Sequence, residues 1–186
     1  QEAVRDGLLR HADDPDRIAE SCAELDELTP RLRLIALDAL PAALARLRQE
    51  GHAPAVQARA REAVEAALRR TALGDDPYAA AAACSLLGRY ASARNLGVLA
   101  RAWSRAEGPA GDDIPRGVLQ ALTAFAADTS FVVPDTLRAR TVALLEQGFD
   151  HDRLQGRSVA RAAAAALLLT ALVLVPSEAS LLETLP

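Results

Sequence analysis

The chain has 186 residues, of which 51% are apolar and only 3% are aromatic, and it is rich in alanine. Short alanine side chains favour closely packed helices over a sheet core of β-branched residues, so the composition predicts an all-α protein. The 25 acidic residues outnumber the 21 basic ones, all of which are arginine. The resulting net charge of −4 disfavours nucleic acid as a partner, because its binding needs a concentrated basic surface.

The start of the sequence and its two cysteines indicate how the chain was produced and in which compartment it works. The sequence begins with Gln1 and contains no methionine, so we expect residues 1–186 to be a single domain from a trimmed or processed longer chain. Cys22 and Cys84 each lie in an apolar helical pattern, which favours buried, unpaired thiols in a reducing compartment. We therefore expect a cytoplasmic protein, although a cleaved signal peptide would leave no trace here.

Two helices are predicted at the start of the chain. Residues 2–12 predict a short helix, and a second helix begins after Asp13-Asp14-Pro15 and runs to about Leu28. Four carboxylates on one side of this second helix form an acidic ridge, namely Asp16, Glu20, Glu24 and Glu27. We interpret the ridge as a solvated face, and a docking strip for a basic partner is the alternative.

Two longer helices are predicted next. The first covers residues 31–49, and Pro41 should kink or break it near residues 37–40 because proline removes a backbone hydrogen bond. After a turn at residues 50–54, the second helix runs to about Ala72. Its spacing pairs Arg61 with Glu65 and Glu65 with Arg69, which predicts an exposed, self-neutralised face.

The stretch from Asp75 to Trp103 is the clearest unit of the chain and predicts a helical hairpin. An Asp-Pro pair opens a first helix that Leu87 and Gly88 end, and a second helix begins near Arg94 after a tight turn. Small apolar residues at helical spacing line one face of the first helix, namely Ala79, Ala80, Ala83, Cys84 and Leu87. We expect that helix to be buried between layers, and we expect Trp103 to belong to the core.

This hairpin resembles HEAT repeats, in particular the short type named after phycobiliprotein lyases. The resemblance is carried by Asp76, Pro77, Leu87, Gly88, Arg89, Arg94, Leu96 and Leu99. Ala79 and Ala80 stand where the family usually has Val-Arg, which weakens the expectation of its Asp-to-Arg bonds at this repeat. The resemblance implies a right-handed α-α superhelix, an armadillo-like solenoid of about five helical hairpins.

The rest of the chain is consistent with such a repeat. Residues 107–115 form the longest linker-like run, residues 116–127 predict a helix, and a further helix follows Pro134-Asp135. Helix starts near residues 30, 77, 115 and 157 are roughly forty residues apart, as in HEAT proteins. The apolar run of residues 162–175 is too short to span a bilayer, so we expect no membrane association, and this run offers a surface for self-association.

No catalytic motif, metal-binding pattern or phosphate loop is present, so we predict no enzyme activity, no cofactor and no metal. The cluster Asp150-His151-Asp152 is interpreted as surface and a helix cap rather than a metal site. In HEAT proteins the second helices of successive hairpins line a concave binding surface. That resemblance implies a protein partner with an acidic surface, and the predicted partner-binding residues are Arg101, Arg105, Arg138 and Arg140.

Two alternative functions remain open. Some proteins with this repeat type are lyases that attach bilins, and a groove lined by Tyr78, Tyr90 and Trp103 would suit a flat chromophore. Other HEAT-like solenoids hold a nucleic-acid duplex in a basic groove. A scaffold that binds another protein is the function we expect from the sequence.

Overall fold

A computed structural model describes residues 14–105, 113–128 and 130. Within these residues the chain forms six α-helices, a short 3₁₀ helix and no strand. The helices are α1 (Pro15–Glu24), α2 (Pro30–Gln49), α3 (Pro54–Ala72), α4 (Pro77–Leu87), α5 (Ala93–Ser104) and α6 (Asp113–Ala127), and the 3₁₀ helix is Leu25–Glu27. The predicted all-α class is confirmed for this part of the chain. The expected helices at residues 2–12 and beyond residue 130, and the apolar run of residues 162–175, lie outside it.

The predicted Asp-Pro openings are real helix starts. Asp14 accepts a hydrogen bond from the backbone N–H of Asp16 at 2.9 Å at the start of α1. Asp76 accepts from the N–H groups of Tyr78 at 3.1 Å and Ala79 at 3.2 Å at the start of α4. Each carboxylate satisfies backbone donors that the first helical turn leaves unpaired, which fixes the residue at which the helix begins.

Two helix boundaries and the expected break at Pro41 differ from the sequence prediction. Helix α1 ends at Glu24 rather than near Leu28, because the Arg33 side chain donates to the carbonyl oxygens of Leu25 at 3.0 Å and Leu28 at 3.2 Å and satisfies a tighter turn. Helix α2 passes Pro41 without a break. Residues 113–115, which were expected in the loop, form the first turn of α6, where a proline needs no hydrogen-bonded N–H.

Helices α1, α3 and α5 form one layer and run in the same direction. Residues further along one helix contact residues further along the next helix, which shows that the helices are parallel. These pairs are Asp16–Arg59 and Cys22–Arg70 between α1 and α3, and Glu62–Arg94 and Leu73–Arg105 between α3 and α5. Short connections make consecutive helices antiparallel, so α2, α4 and α6 run the opposite way in a second layer.

Helices α4 and α6 pack most closely in the second layer. A Cβ at Gly88 would lie 2.8 Å from the Cα of Ala121, and a Cβ at Gly117 would overlap the carbonyl oxygen of Ala81. The two backbones therefore meet with no room for a side chain at either point. Because α4 also contacts α2, α3 and α5, the alanine-rich helix is buried between layers, as its composition predicts.

The hydrophobic core is continuous along the described helices. It includes the five small residues predicted to line α4, all of which are buried, and Trp103 packs half-buried against its edge. Within these residues no helix is long and apolar enough to cross a membrane. Every strongly contacting pair of helices is one or two positions apart in the chain, so the packing is local in sequence.

Candidate partner-binding surfaces

The arginines predicted to bind a partner differ in their surroundings. Arg101 is exposed on α5 and forms no ion pair with any described residue. Arg105 donates to the carbonyl oxygen of Leu73 and pairs with Asp75 at 3.4 Å, so part of its charge is used within the chain. Arg138 and Arg140 lie outside the described residues. Among the described arginines at residues 94, 101 and 105, Arg101 is therefore the one whose charge is not used in an ion pair with a described residue.

A buried polar cluster joins α3 to α5. Glu65 and Arg69 were predicted to be exposed, and this prediction is wrong, since they are only 7% and 8% exposed. Arg69 donates to Glu65 at 3.5 Å and to Glu62 at 2.6 Å, and Arg61 donates to the other oxygen of Glu65 at 2.7 Å. The spacing of four residues correctly predicts the pairs, but α5 covers them.

Asn95 completes this cluster, and sequence reasoning missed it. Its side chain is fully buried and donates to Glu65 at 3.0 Å and to the carbonyl oxygen of Tyr90 at 2.6 Å, while its own oxygen accepts from Arg69 at 3.1 Å. The sequence offered a signal, because Asn95 adjoins Leu96 and lies one helical turn before Leu99, so a helix that buries both leucines also turns Asn95 toward the core. A buried polar side chain requires partners, and here they come from the preceding hairpin.

Tyr90 lies at the end of this cluster, next to Arg61. The ring is only 5% exposed, and the guanidinium of Arg61 lies 5.4 Å from its centroid. Burial raises the pKa of the Tyr90 hydroxyl, and the positive charges of Arg89, Arg48 and Arg61 oppose this rise, whereas Glu65 adds to it. These three positive charges favour the phenolate, but burial has the larger effect on the pKa.

A groove of about 560 Å³ runs across the other layer. Its floor includes Leu34 of α2 and Ala82 and Leu86 of α4, and Tyr78, which is 65% exposed, stands at its side. Tyr90 and Trp103 do not line it. This groove therefore does not combine the three aromatic residues that a chromophore site was expected to contain.

The charged residues that the structure describes form ion pairs but no metal-binding cluster. Within the described residues, no group of three or more His, Cys, Asp or Glu could hold a metal ion. Eight arginines pair with carboxylates, namely Arg17, Arg59, Arg61, Arg69, Arg70, Arg94, Arg105 and Arg116. These pairs neutralise much of the basic charge, which weighs against an extended groove for nucleic acid.

Comparison of this chain with protein-family models, with curated proteins and with solved structures finds no match.

Proposed function

We propose that this chain is a HEAT-like α-solenoid that acts as a non-catalytic scaffold and binds another protein through exposed helix faces. One observation carries the proposal, namely that each helix packs against neighbours one and two positions along the chain. Such local packing is typical of solenoids, in which each hairpin shields the apolar face of the next and leaves long helix faces open.

The direction of the helices also supports this proposal. When one helical hairpin is repeated by a constant step, consecutive helices are antiparallel and every second helix is parallel. The Asp76-capped hairpin of α4 and α5, which resembles a HEAT repeat, follows the hairpin of α2 and α3 in this way. The buried cluster around Asn95 then serves as the polar link between successive hairpins, in place of the Asp-to-Arg bonds of the family.

The proposed binding surface is the outer face of α5, with Arg101 as its accessible charge. A partner with an acidic surface suits this face, because complementary charges steer association and fix orientation. Arg105 contributes at the same end of α5, although its bonds to Leu73 and Asp75 restrain it. Arg138 and Arg140 are proposed as the corresponding residues of the next hairpin.

The test is a pull-down from a cell lysate in which the full chain is immobilised. Arg101→Ala should lose a partner that the native chain retains, whereas Arg17→Ala, which removes another exposed arginine, from α1, should retain it. A partner recovered equally by both variants would remove Arg101 from the binding surface. Turnover of a small-molecule substrate by the purified chain would contradict the non-catalytic role.

A further inference from the structure

The groove of the second layer is bounded by three helices. Helix α4 packs against both α2 and α6, which do not pack closely on each other, so α4 lies between them. Four residues that line the groove recur at intervals of three and four and share one face of α4, namely Tyr78, Ala81, Ala82 and Ser85. This face spans about 10 Å, or two turns of helix. After Tyr78 its side chains are small, and α4 carries no charged residue.

The charges of the groove come from the helices on its two sides. On α6, Asp113 and Arg116 neutralise each other in an ion pair of 3.1 Å. On α2, Asp38 is exposed and forms no ion pair with a described residue, and Leu34 lies one turn before it on the same face. The described residues of the groove therefore combine an apolar surface with a carboxylate that has no cation beside it.

Tyr78 stands at the side of the groove and is the large hydrophobic residue that the described part of the chain leaves exposed, at 65%. Tyrosine is one of the residues that most often dominate the binding energy of an interface. Its ring also attracts the ammonium or guanidinium group of a partner. Tyr78 and Asp38 therefore both favour a partner that carries positive charge next to apolar side chains.

We propose that this groove binds a short amphipathic helix of a partner protein, which lays aliphatic side chains on α4 and places an arginine or lysine beside Asp38. Many proteins bind an amphipathic helix in an apolar groove in this way. The unpaired carboxylate selects a basic helix over an acidic one, and Tyr78 anchors it. This inference goes beyond the proposed function, because the groove and Arg101 lie in different layers and select partners of opposite charge.

The first test measures binding of two fluorescent peptides to the full chain by anisotropy. Both are alanine-based helices of about 15 residues with leucine on one face, a length at which such a helix is stable enough to form. One carries arginine beside the leucines, and the other carries glutamate at the same positions. The native chain should bind the arginine peptide more tightly.

Reversal of the charge at Asp38 should reverse this preference. We expect Asp38→Arg to weaken binding of the arginine peptide about ten-fold and to strengthen binding of the glutamate peptide. Glu24→Arg makes the same change of net charge at an exposed position on α1 and should alter either affinity less than about two-fold. Equal effects of the two variants would mean that the peptides respond only to net charge, and would overturn the inference.

Substitutions of the aromatic ring test the anchor. Tyr78→Ala should weaken binding of the arginine peptide about ten-fold, whereas Tyr78→Phe keeps the ring and should bind as the native chain does. Because Tyr78 is exposed, both variants should keep the native helix content by circular dichroism. Unchanged binding by Tyr78→Ala would remove the ring from the site. A native dimer that Tyr78→Ala dissociates in sedimentation would place a second copy of the chain in the groove and would also contradict the proposal.

A third measurement locates the bound peptide. In nitrogen–proton correlation spectra, the arginine peptide should shift the amide signals of Ala82, Ser85 and Gly117 and leave that of Arg101 unchanged. Shifts confined to α5 would place the peptide outside the groove. A native chain that binds neither peptide would also overturn the inference, whereas the pull-down with Arg101→Ala would still test the scaffold function separately.

Discussion

Asn95 shows how one buried amide can hold two hairpins together. It exchanges hydrogen bonds with Glu65 and Arg69 of α3 and fixes the turn that carries Tyr90. Two charged groups are buried around it, and each of them has the amide as one of its hydrogen-bond partners. Burial of charged groups gives little net stability, but removal of one partner is costly because the others stay in the interior.

We therefore expect Asn95→Ala to lower the free energy of unfolding by roughly 2–3 kcal/mol, the usual penalty for stranding buried polar groups. Arg94→Ala is the matched control, since it removes only an exposed pair with Glu62 and should cost less than about 1 kcal/mol. Urea denaturation monitored by circular dichroism measures both values. Equal effects of the two variants would show that the amide has no special structural role.

The two thiols make stability depend on alkaline pH. Burial raises the pKa of Cys22 and of Cys84 from 9.0 to about 12, and the charge of Arg70 partly opposes this at Cys22. Below pH 9 both the folded and the unfolded chain keep these protons. Between pH 9 and 12 only the folded chain keeps these protons. The stabilisation that the two buried thiols provide is therefore complete below pH 9 and is lost as the pH rises toward 12.

Cys22→Ala/Cys84→Ala should remove this dependence. At one pH unit above 9, ionisation of each thiol in the unfolded chain lowers the free energy of unfolding by about 1.4 kcal/mol relative to neutral pH. The double variant should therefore lose about 2.7 kcal/mol less than the native chain when the pH is raised from about 8 to about 10. Chemical denaturation at the two pH values provides the measurement, and parallel losses in the two proteins would contradict the role of the thiols.

At the scale of helices, the sequence predicts where a helix begins better than where it ends or which of its side chains are buried. Asp-Pro pairs act locally, so the beginnings of α1 and α4 could be predicted from adjacent residues alone. The end of α1 could not, because it depends on Arg33 of the next helix. The burial of Glu65 and Arg69 likewise depends on Asn95, some thirty residues away, and no local pattern distinguishes a covered ion pair from an exposed one.

The cap of α4 allows a test at this scale. One oxygen of Asp76 accepts from two backbone N–H groups, whereas the other is buried without a partner among the described residues. Asp76→Ala should lower stability by about 1 kcal/mol through loss of the cap. Asp76→Ser keeps a capping oxygen and removes the unpaired one, so it should be at least as stable as the native chain. Thermal unfolding of the three proteins measures this order, and a serine variant as unstable as the alanine variant would contradict it.

At the scale of the whole molecule, the helices either unfold as one cooperative unit or depend for stability mainly on their nearest neighbours. The strong contacts of each helix are with helices one or two positions away. In such a stack, damage at one contact should spread mainly to the adjoining helices, whereas a closed bundle would weaken as one unit.

Gly117→Ala tests this distinction, because the added methyl group would overlap the Ala81 carbonyl oxygen and separate α6 from α4. Overpacking of this kind costs about 1–3 kcal/mol. We expect amide hydrogen exchange to accelerate in α4 and α6 and to change least in α1, at the far end of the stack. Gly97→Ala is the control, since a Cβ there meets no atom within 4 Å and should slow exchange in α5 slightly. A uniform loss of protection from α1 to α6 would show one closed cooperative unit and would contradict the solenoid on which the scaffold function depends.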